Sequence, residues 1–458
     1  MSASGFTPGQ RRTVLLLVIA VIAVFAMLAG FIATSLRSWE RSSPVPTRTW
    51  ASPVSTPLPV PSPFPSPVVE EGILSQVQAA RLFEQIAHQV ETVRGLSPRA
   101  EVPLSFLDQR QMSVLLRQLY AEWAPEEQLV PYVALGLLPD VSLSPRAHRV
   151  VGVYVPEQEQ LYISTGEQWG DADDQALLAH AYVQALQDQR FDLEAMRARA
   201  TTTDAALAIQ ALMEGDAILL TALYHYGSVT LADRERLVEL ISRAQRPDYG
   251  TELDRSEIWT RLQHFPYWEG FQFVDALFQI GGWDAVNQAY TNPPRSTEQV
   301  LHPERYLEGA DGPTSVVVPD VSAVLDEKWT LVVRDTLGEF TLGLYLEGLL
   351  PSDTAWQAAD GWNGDTFVAW EHADGSQVLV WRTVWDSNAD AVEFERALTA
   401  LVIQRYLPAR PVDPPDGLPG LWWEGDLGAV CVARAARHVI FVQAPDVNTL
   451  ANAMGLLP

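Results

Sequence analysis

ALLAHAYVQALQDQRFDL, residues 176–193, is the stretch on which the fold of this chain turns. It contains neither glycine nor proline, and the segment around it predicts a helix over 172–190. Residues four apart share one face of a helix, so His180 and Gln184 stand side by side. A second helix is predicted over 203–225, around ALAIQALMEGDAILL. There Leu212, Ile218 and Leu219 mark an apolar side that packs on the first helix, and Glu214 faces the interface. Upstream, Ile73, Val77, Ala80, Phe83, Ile86, Val90 and Val93 recur at helical spacing. AEVPLSFL follows as a strand, then helices near 109–122 and 125–137. VVGVYVPEQEQLYIS (150–164) reads as a hairpin with a polar turn. The aromatic segment 267–291 reads as a helix ending at the turn NPPRS.

Two histidines at i and i+4 of one helix grip zinc in many peptidases. A glutamate after the first histidine serves as general base, and a third ligand comes from elsewhere, often a glutamate on the next helix. In the window His180-Ala181-Tyr182-Val183-Gln184, only the first of these positions is filled. Ala181 stands at the base position and Gln184 at the second ligand position. By itself such a window carries no function, because a lone helical histidine is commonly structural.

The surrounding text carries more. LQDQRFDL followed by ALMEGDA resembles a family of bacterial membrane-anchored zinc metallopeptidases with the motif HExxHALQDQxFDL and a downstream ALxEGDA. The resemblance extends through GLLPD, VVGVYVPEQEQLYIS, FPYWEGFQFV, GGWDAVNQAY and PPRSTEQVLHPERY. It continues into LGEFTLGLYL, QAADGWNGD and VWDSNADAVEF, and so covers most of residues 73–405. It implies a zincin-like, mostly helical domain with a small sheet, and a vestigial metal site of His180, Gln184 and Glu214. With the second histidine and the catalytic glutamate both replaced, this member is expected to hold no zinc and to hydrolyse nothing. Zinc enters only if the site is retained. Gln187, Asp188, Gln189, Phe191 and Asp192 keep the motif, which fits a fold kept while its chemistry was dropped.

Residues 14–33 are apolar or small and uncharged. At 1.5 Å per residue they span a ~30 Å hydrocarbon layer. A transmembrane helix over 13–35 is expected, with residues 1–12 cytoplasmic; a cleaved signal peptide is the alternative. Residues 36–70 are rich in Pro, Ser and Thr and read as a semi-rigid stalk. The protein is thus expected in the cell membrane as a single-pass chain, with its body extracytoplasmic. Acidic residues number 57 against 31 basic ones, and the net charge of −26 excludes nucleic acid as a partner. The single cysteine, Cys431, permits no intramolecular disulfide and reads as a small buried apolar residue.

The expected body is α+β in two parts, a zincin-like domain over 71–315 and a smaller α+β domain over 316–458. The second part shows a helix at 336–349, a hairpin through HADGSQ, a helix at 388–403, a further strand pair in GLWWEGDLGAVCVARAARHVIFVQA, and a short last helix. Its tryptophans, Trp356, Trp362, Trp370, Trp381 and Trp385, alternate with apolar partners and read as core rather than as a sugar platform. Asp188 and Asp192 read as caps rather than as a catalytic pair. Tyr154 and LYIS read as an edge strand beside the metal helix, able to pair with a peptide or serving as an ordinary edge. His302 is either a cleft residue or, the favoured reading, a loop histidine bonded to backbone ahead of Pro303. The expected function is a membrane-anchored pseudo-metallopeptidase that binds a peptide or protein without cutting it. The alternatives are an active zinc metallopeptidase with a non-standard site and a structural cell-surface protein.

Overall fold

Ser75 starts the first helix with a capping box, its hydroxyl accepting from the Gln78 N–H while the Gln78 side chain accepts the Ser75 N–H. The structure is a computed structural model, which describes residues 75–123, 129–139, 150–165, 171–227, 230–245, 256–309, 312–325, 327–406, 408–415 and 417–457. The expected membrane span at 13–35 and stalk at 36–70 lie outside the described residues.

The helical part runs α1 (Gln76–Arg94), β1 (Leu104–Asp108), α2 (Gln109–Trp123), α3 (Val130–Ala134), β2 (Gly152–Val155), β3 (Gln160–Thr165), α4 (Ala172–Phe191), α5 (Leu193–Arg197), α6 (Thr203–Tyr226), α7 (Leu231–Gln245), α8 (Glu257–Thr291), α9 (Thr297–Leu301) and α10 (Pro303–Glu308). Its small sheet has the order β1-β3-β2, with β1 parallel and β2 antiparallel to β3. The expected hairpin is present. LYIS, however, lies in the central strand, and it is β2 that forms an edge; the reversal at 156–159 leaves β3 free to pair with β1 on its other side. The aromatic helix begins at Glu257, ten residues before the expected start, and breaks at Gly281 and Gly282, the latter at φ 62°.

α6 is long and apolar enough to cross a membrane, yet 83% of its most apolar window is buried within the body, so it is the core helix here. It lies against α8 with backbone touching backbone. A Cβ on Gly215 would sit 2.1 Å from the Gly270 carbonyl oxygen, and one on Gly270 would sit 2.2 Å from that of Ala211. Only glycine permits this approach.

The sheet part comprises β4 (Trp329–Asp335), α11 (Gly338–Glu347), α12 (Ser352–Ala359), β5 (Trp362–His372), β6 (Gln377–Trp385), α13 (Asn388–Arg405), β7 (Arg410–Val412), β8 (Leu421–Gly425), β9 (Gly428–Ala435), β10 (His438–Ala444) and α14 (Val447–Met454). The strands form one antiparallel sheet, β4-β5-β6-β10-β9-β8-β7. The stretch expected as a strand pair holds three strands, β8, β9 and β10, because Gly428 and Ala436 at positive φ turn the chain twice. Alternation along the strands buries both faces. Val368, Trp370, Val380, Cys431 and Val442 join Leu450 and Met454 in one core. Phe367 and Trp381 pack instead with Tyr345 and Phe394. All five tryptophans of the cluster are buried. Burial pushes the Cys431 thiol up to about 12, where it is inert.

Helical and sheet parts meet at the start of α6. The Asp204 carboxylate accepts from the Thr297 N–H at 2.9 Å and hydroxyl at 2.6 Å, and Thr203 N–H donates to Asp335 at 2.8 Å. Asp365 accepts from the Leu337 and Gly338 N–H groups and from the Trp362 and Trp381 indoles. Burial pushes the Asp204 carboxyl up to about 7 and the Asp365 carboxyl up to about 6. In the unfolded chain both ionise near ~3.9. Between these limits the folded state binds more protons, so stability is greatest in acid and falls as pH rises through 6 to 7. The thermal midpoint is expected to be roughly 3–6 °C higher at pH 5 than at pH 8 by calorimetry. An equal or higher midpoint at pH 8 would contradict this account of the junction.

Candidate functional site

α4 begins with Asp171 capping the Asp174 N–H and ends at Asp192, a non-glycine residue at φ 59°. The phrase LQDQRFDL at the far end of this helix is explained residue by residue. Gln187, fully buried, donates to the Met213 carbonyl of α6 at 3.2 Å. Asp188 accepts the Tyr154 hydroxyl at 2.7 Å and the Leu193 N–H at 3.0 Å. Gln189 clamps the backbone of Arg99 and Ala100. Phe191 stacks on Tyr290, their centroids 3.9 Å apart, and Asp192 caps α5 through the Ala195 N–H. These contacts fix the end of the helix, and Asp192 serves as a cap.

The other side of the phrase EGDA is held as firmly. Asp216, fully buried, receives a bidentate pair from Arg94, Nε–Oδ1 2.8 Å and Nη2–Oδ2 3.0 Å, and the Tyr290 hydroxyl at 2.7 Å. Arg94 also donates to Asn287 at 2.8 Å and lies 4.3 Å over the Trp283 ring. This network, linking α1, α6 and α8, escaped the sequence. Arg94 in a last helical turn is an ordinary place for a cation, and its partner lies 122 residues away.

Between these two anchors, α4 and α6 bring His180, Gln184 and Glu214 together. His180 Nε2 is 3.3 Å from Glu214 Oε2. The Gln184 amide nitrogen lies 3.4 Å from His180 Nε2 and 3.4 and 3.5 Å from the two Glu214 oxygens. His180 is fully buried and its Nδ1 has no partner among the described residues. A buried N–H without an acceptor costs more than a bare lone pair here, so the network assigns the proton to Nε2, where it donates to Glu214. Two donors, the imidazole and the amide, thus converge on one carboxylate.

Set against a zinc site, His180 and Glu214 are groups of the right kind, and Gln184 is the residue that does not fit. A cation needs lone pairs aimed at a common point. The Gln184 amide aims its hydrogens there instead, the positive end of its dipole. Its oxygen could serve only if the amide turned over, against the Glu214 charge. Ala181, at the base position, is 1% exposed and lies under β2, its Cβ 3.8 Å from where a Gly152 side chain would start. No proton acceptor occupies that position.

Tyr154 and His302 lie elsewhere. The Tyr154 ring is buried and its hydroxyl is spent on Asp188; burial, then Asp188, push it far up, so it stays protonated. The ring thus ties β2 to the end of α4. His302 caps the step from α9 to α10, and its Nε2 is 2.9 Å from Glu339 Oε1. It pairs with a carboxylate rather than with backbone, and its partners are not members of the His180 group. Burial opposes its charge, but Glu339 prevails and raises its pKa above the ordinary value.

Residues 329–454 match a family described as a domain of unknown function, DUF8575. No curated protein and no solved structure matches the chain.

Proposed function

We propose that this protein is a membrane-anchored, extracytoplasmic pseudo-metallopeptidase: a zincin-like body over 71–315 that binds a peptide or protein partner without hydrolysing it, followed by the α+β part over 316–458. The observation that carries the reading is the Gln184 amide nitrogen within 3.4–3.5 Å of His180 Nε2 and both Glu214 oxygens. A histidine and a glutamate on two packed helices, with a third residue one turn along, retain the outline of a metal site. The third residue supplies a donor in place of a lone pair. The buried Ala181 removes the base, a contribution worth ~10²–10⁴ in rate on its own. Support for binding comes from β2, whose outer edge has no strand partner among the described residues and which lies on α4 at Gly152. An extended peptide can add to such an edge.

The full-length protein in detergent, dialysed against a mild chelator, is expected to retain no zinc that depends on His180 and to leave quenched peptide substrates intact. Zinc lost on His180→Ala, together with cleavage of those peptides, would establish the enzyme instead. Hydrogen exchange at residues 152–155 with a library of extended peptides tests the binding half. Protection supports it, and exchange unchanged at saturating peptide favours a structural cell-surface role.

A further inference from the structure

A different set of side chains gathers where the helical and sheet parts meet. His302 lies between α9 and α10, Glu339 in the first turn of α11, and Asp360 just after α12. One donor atom from each lies within 4.8 Å of the others, and His302 Nε2 and Glu339 Oε1 are 2.9 Å apart. Two ligands at ~2.1 Å from a common ion stand about that far apart. Glu339 is 2% exposed, and its Oε2 has no hydrogen-bond partner among the described residues. A buried carboxylate oxygen left unpaired is costly, and a cation beside it removes the cost. The elements are rigidly held. The Phe340 N–H, next to Glu339, donates to the Thr297 hydroxyl of α9 at 3.2 Å, and Thr297 in turn is fixed by Asp204. The His302 and Asp360 side chains are 16% and 35% exposed, which leaves room for water ligands.

We propose that His302, Glu339 and Asp360 form a site for a divalent transition ion of the zinc or manganese class. His302 Nε2 and one oxygen from each carboxylate are the ligands, and water fills the remaining positions. One imidazole with two carboxylates suits such borderline ions better than calcium, which takes oxygen alone. On binding, the proton shared between His302 and Glu339 leaves to solvent, and nothing is oxidised or reduced. Two other charges bear on affinity. Arg305 donates through Nη2 to Asp360 Oδ1 at 3.4 Å and through Nη1 to Glu298 and Asp386, so it orients the Asp360 carboxylate while adding a charge like that of the ion. Glu304 Oε1 stands 3.8 Å from His302 Nδ1, too far for a hydrogen bond, and its negative charge favours a cation on the ring.

The test is a calorimetric titration of zinc, then manganese, into the full-length protein in detergent. The wild type is expected to take up one ion. Glu339→Gln and Asp360→Asn are expected to weaken it by about tenfold or more, while His180→Ala leaves it unchanged. Asp360 is partly exposed, so its substitution keeps the test open if the buried Glu339→Gln fails to fold. A wild type that binds neither ion, folded Asp360→Asn protein that binds as the wild type does, or an ion lost only with His180→Ala would each overturn the proposal. The last outcome would locate the ion on α4 and overturn the proposed pseudoenzyme as well, whereas the first two leave that reading standing.

Discussion

Gln184→His alone is expected to add about one zinc per chain to whatever the wild type binds, with an affinity at least ~10³-fold above that of the His180 site as it stands. The substitution replaces the inward-facing amide donor with an imidazole lone pair on the same helical face, one turn from His180. Glu214 is already 3.3 Å from His180 Nε2, so the third ligand needs no journey. Atomic absorption after chelator dialysis reads the result, and Glu214→Gln in the same background should abolish the gain. If Gln184→His folds and still gains no zinc, the convergence of these three residues is unrelated to metal binding, and the zinc-peptidase framework loses its main support.

Arg94→Met is expected to lower the thermal midpoint of the body by about 10 °C, corresponding to ~3–5 kcal/mol for one partner removed from a buried ion pair. The guanidinium fills the space among α1, α6 and α8, and its loss leaves Asp216 charged, fully buried and short of two bonds. Adding Asp216→Leu should restore part of the loss, since the cost lies largely in the stranded charge. Recovery will be incomplete, because the Tyr290 hydroxyl and the Asn287 amide also lose their partners. A midpoint within 2–3 °C of wild type for Arg94→Met, measured by scanning fluorimetry, would mean that water reaches this network.

Local periodicity made the helices around His180 and Glu214 legible, together with the 150–164 hairpin and the buried tryptophans. The same signals failed wherever tertiary context outweighed local pattern. β4 escaped notice because Leu331 and Val332 are both exposed on an edge strand, so the apolar run shows no alternation. Helix α12 is only eight residues long, and its pattern cannot be told from a loop without Trp356 packed against Gly343. In the site, HAYVQ gave the positions but not the contacts. That the amide nitrogen of Gln184, rather than its oxygen, faces Glu214 depends on two helices from different parts of the chain. His302 shows the same limit: a proline after it suggested a loop, and the carboxylate that holds it lies 37 residues on.

The packing of Ala181 beneath β2 makes the two departures in this helix unequal to reverse. Gln184 is only partly buried, and a histidine there has room. Ala181 has none: it is sealed against a strand at Gly152, itself 2.9 Å from Leu178 when given a side chain. A glutamate introduced at 181 must therefore force a carboxylate into a closed apolar seam before it can do any chemistry. The double variant Ala181→Glu with Gln184→His should be less stable than Gln184→His by itself. Adding a ligand at 184 is one step, whereas adding a base at 181 requires the strand to yield first.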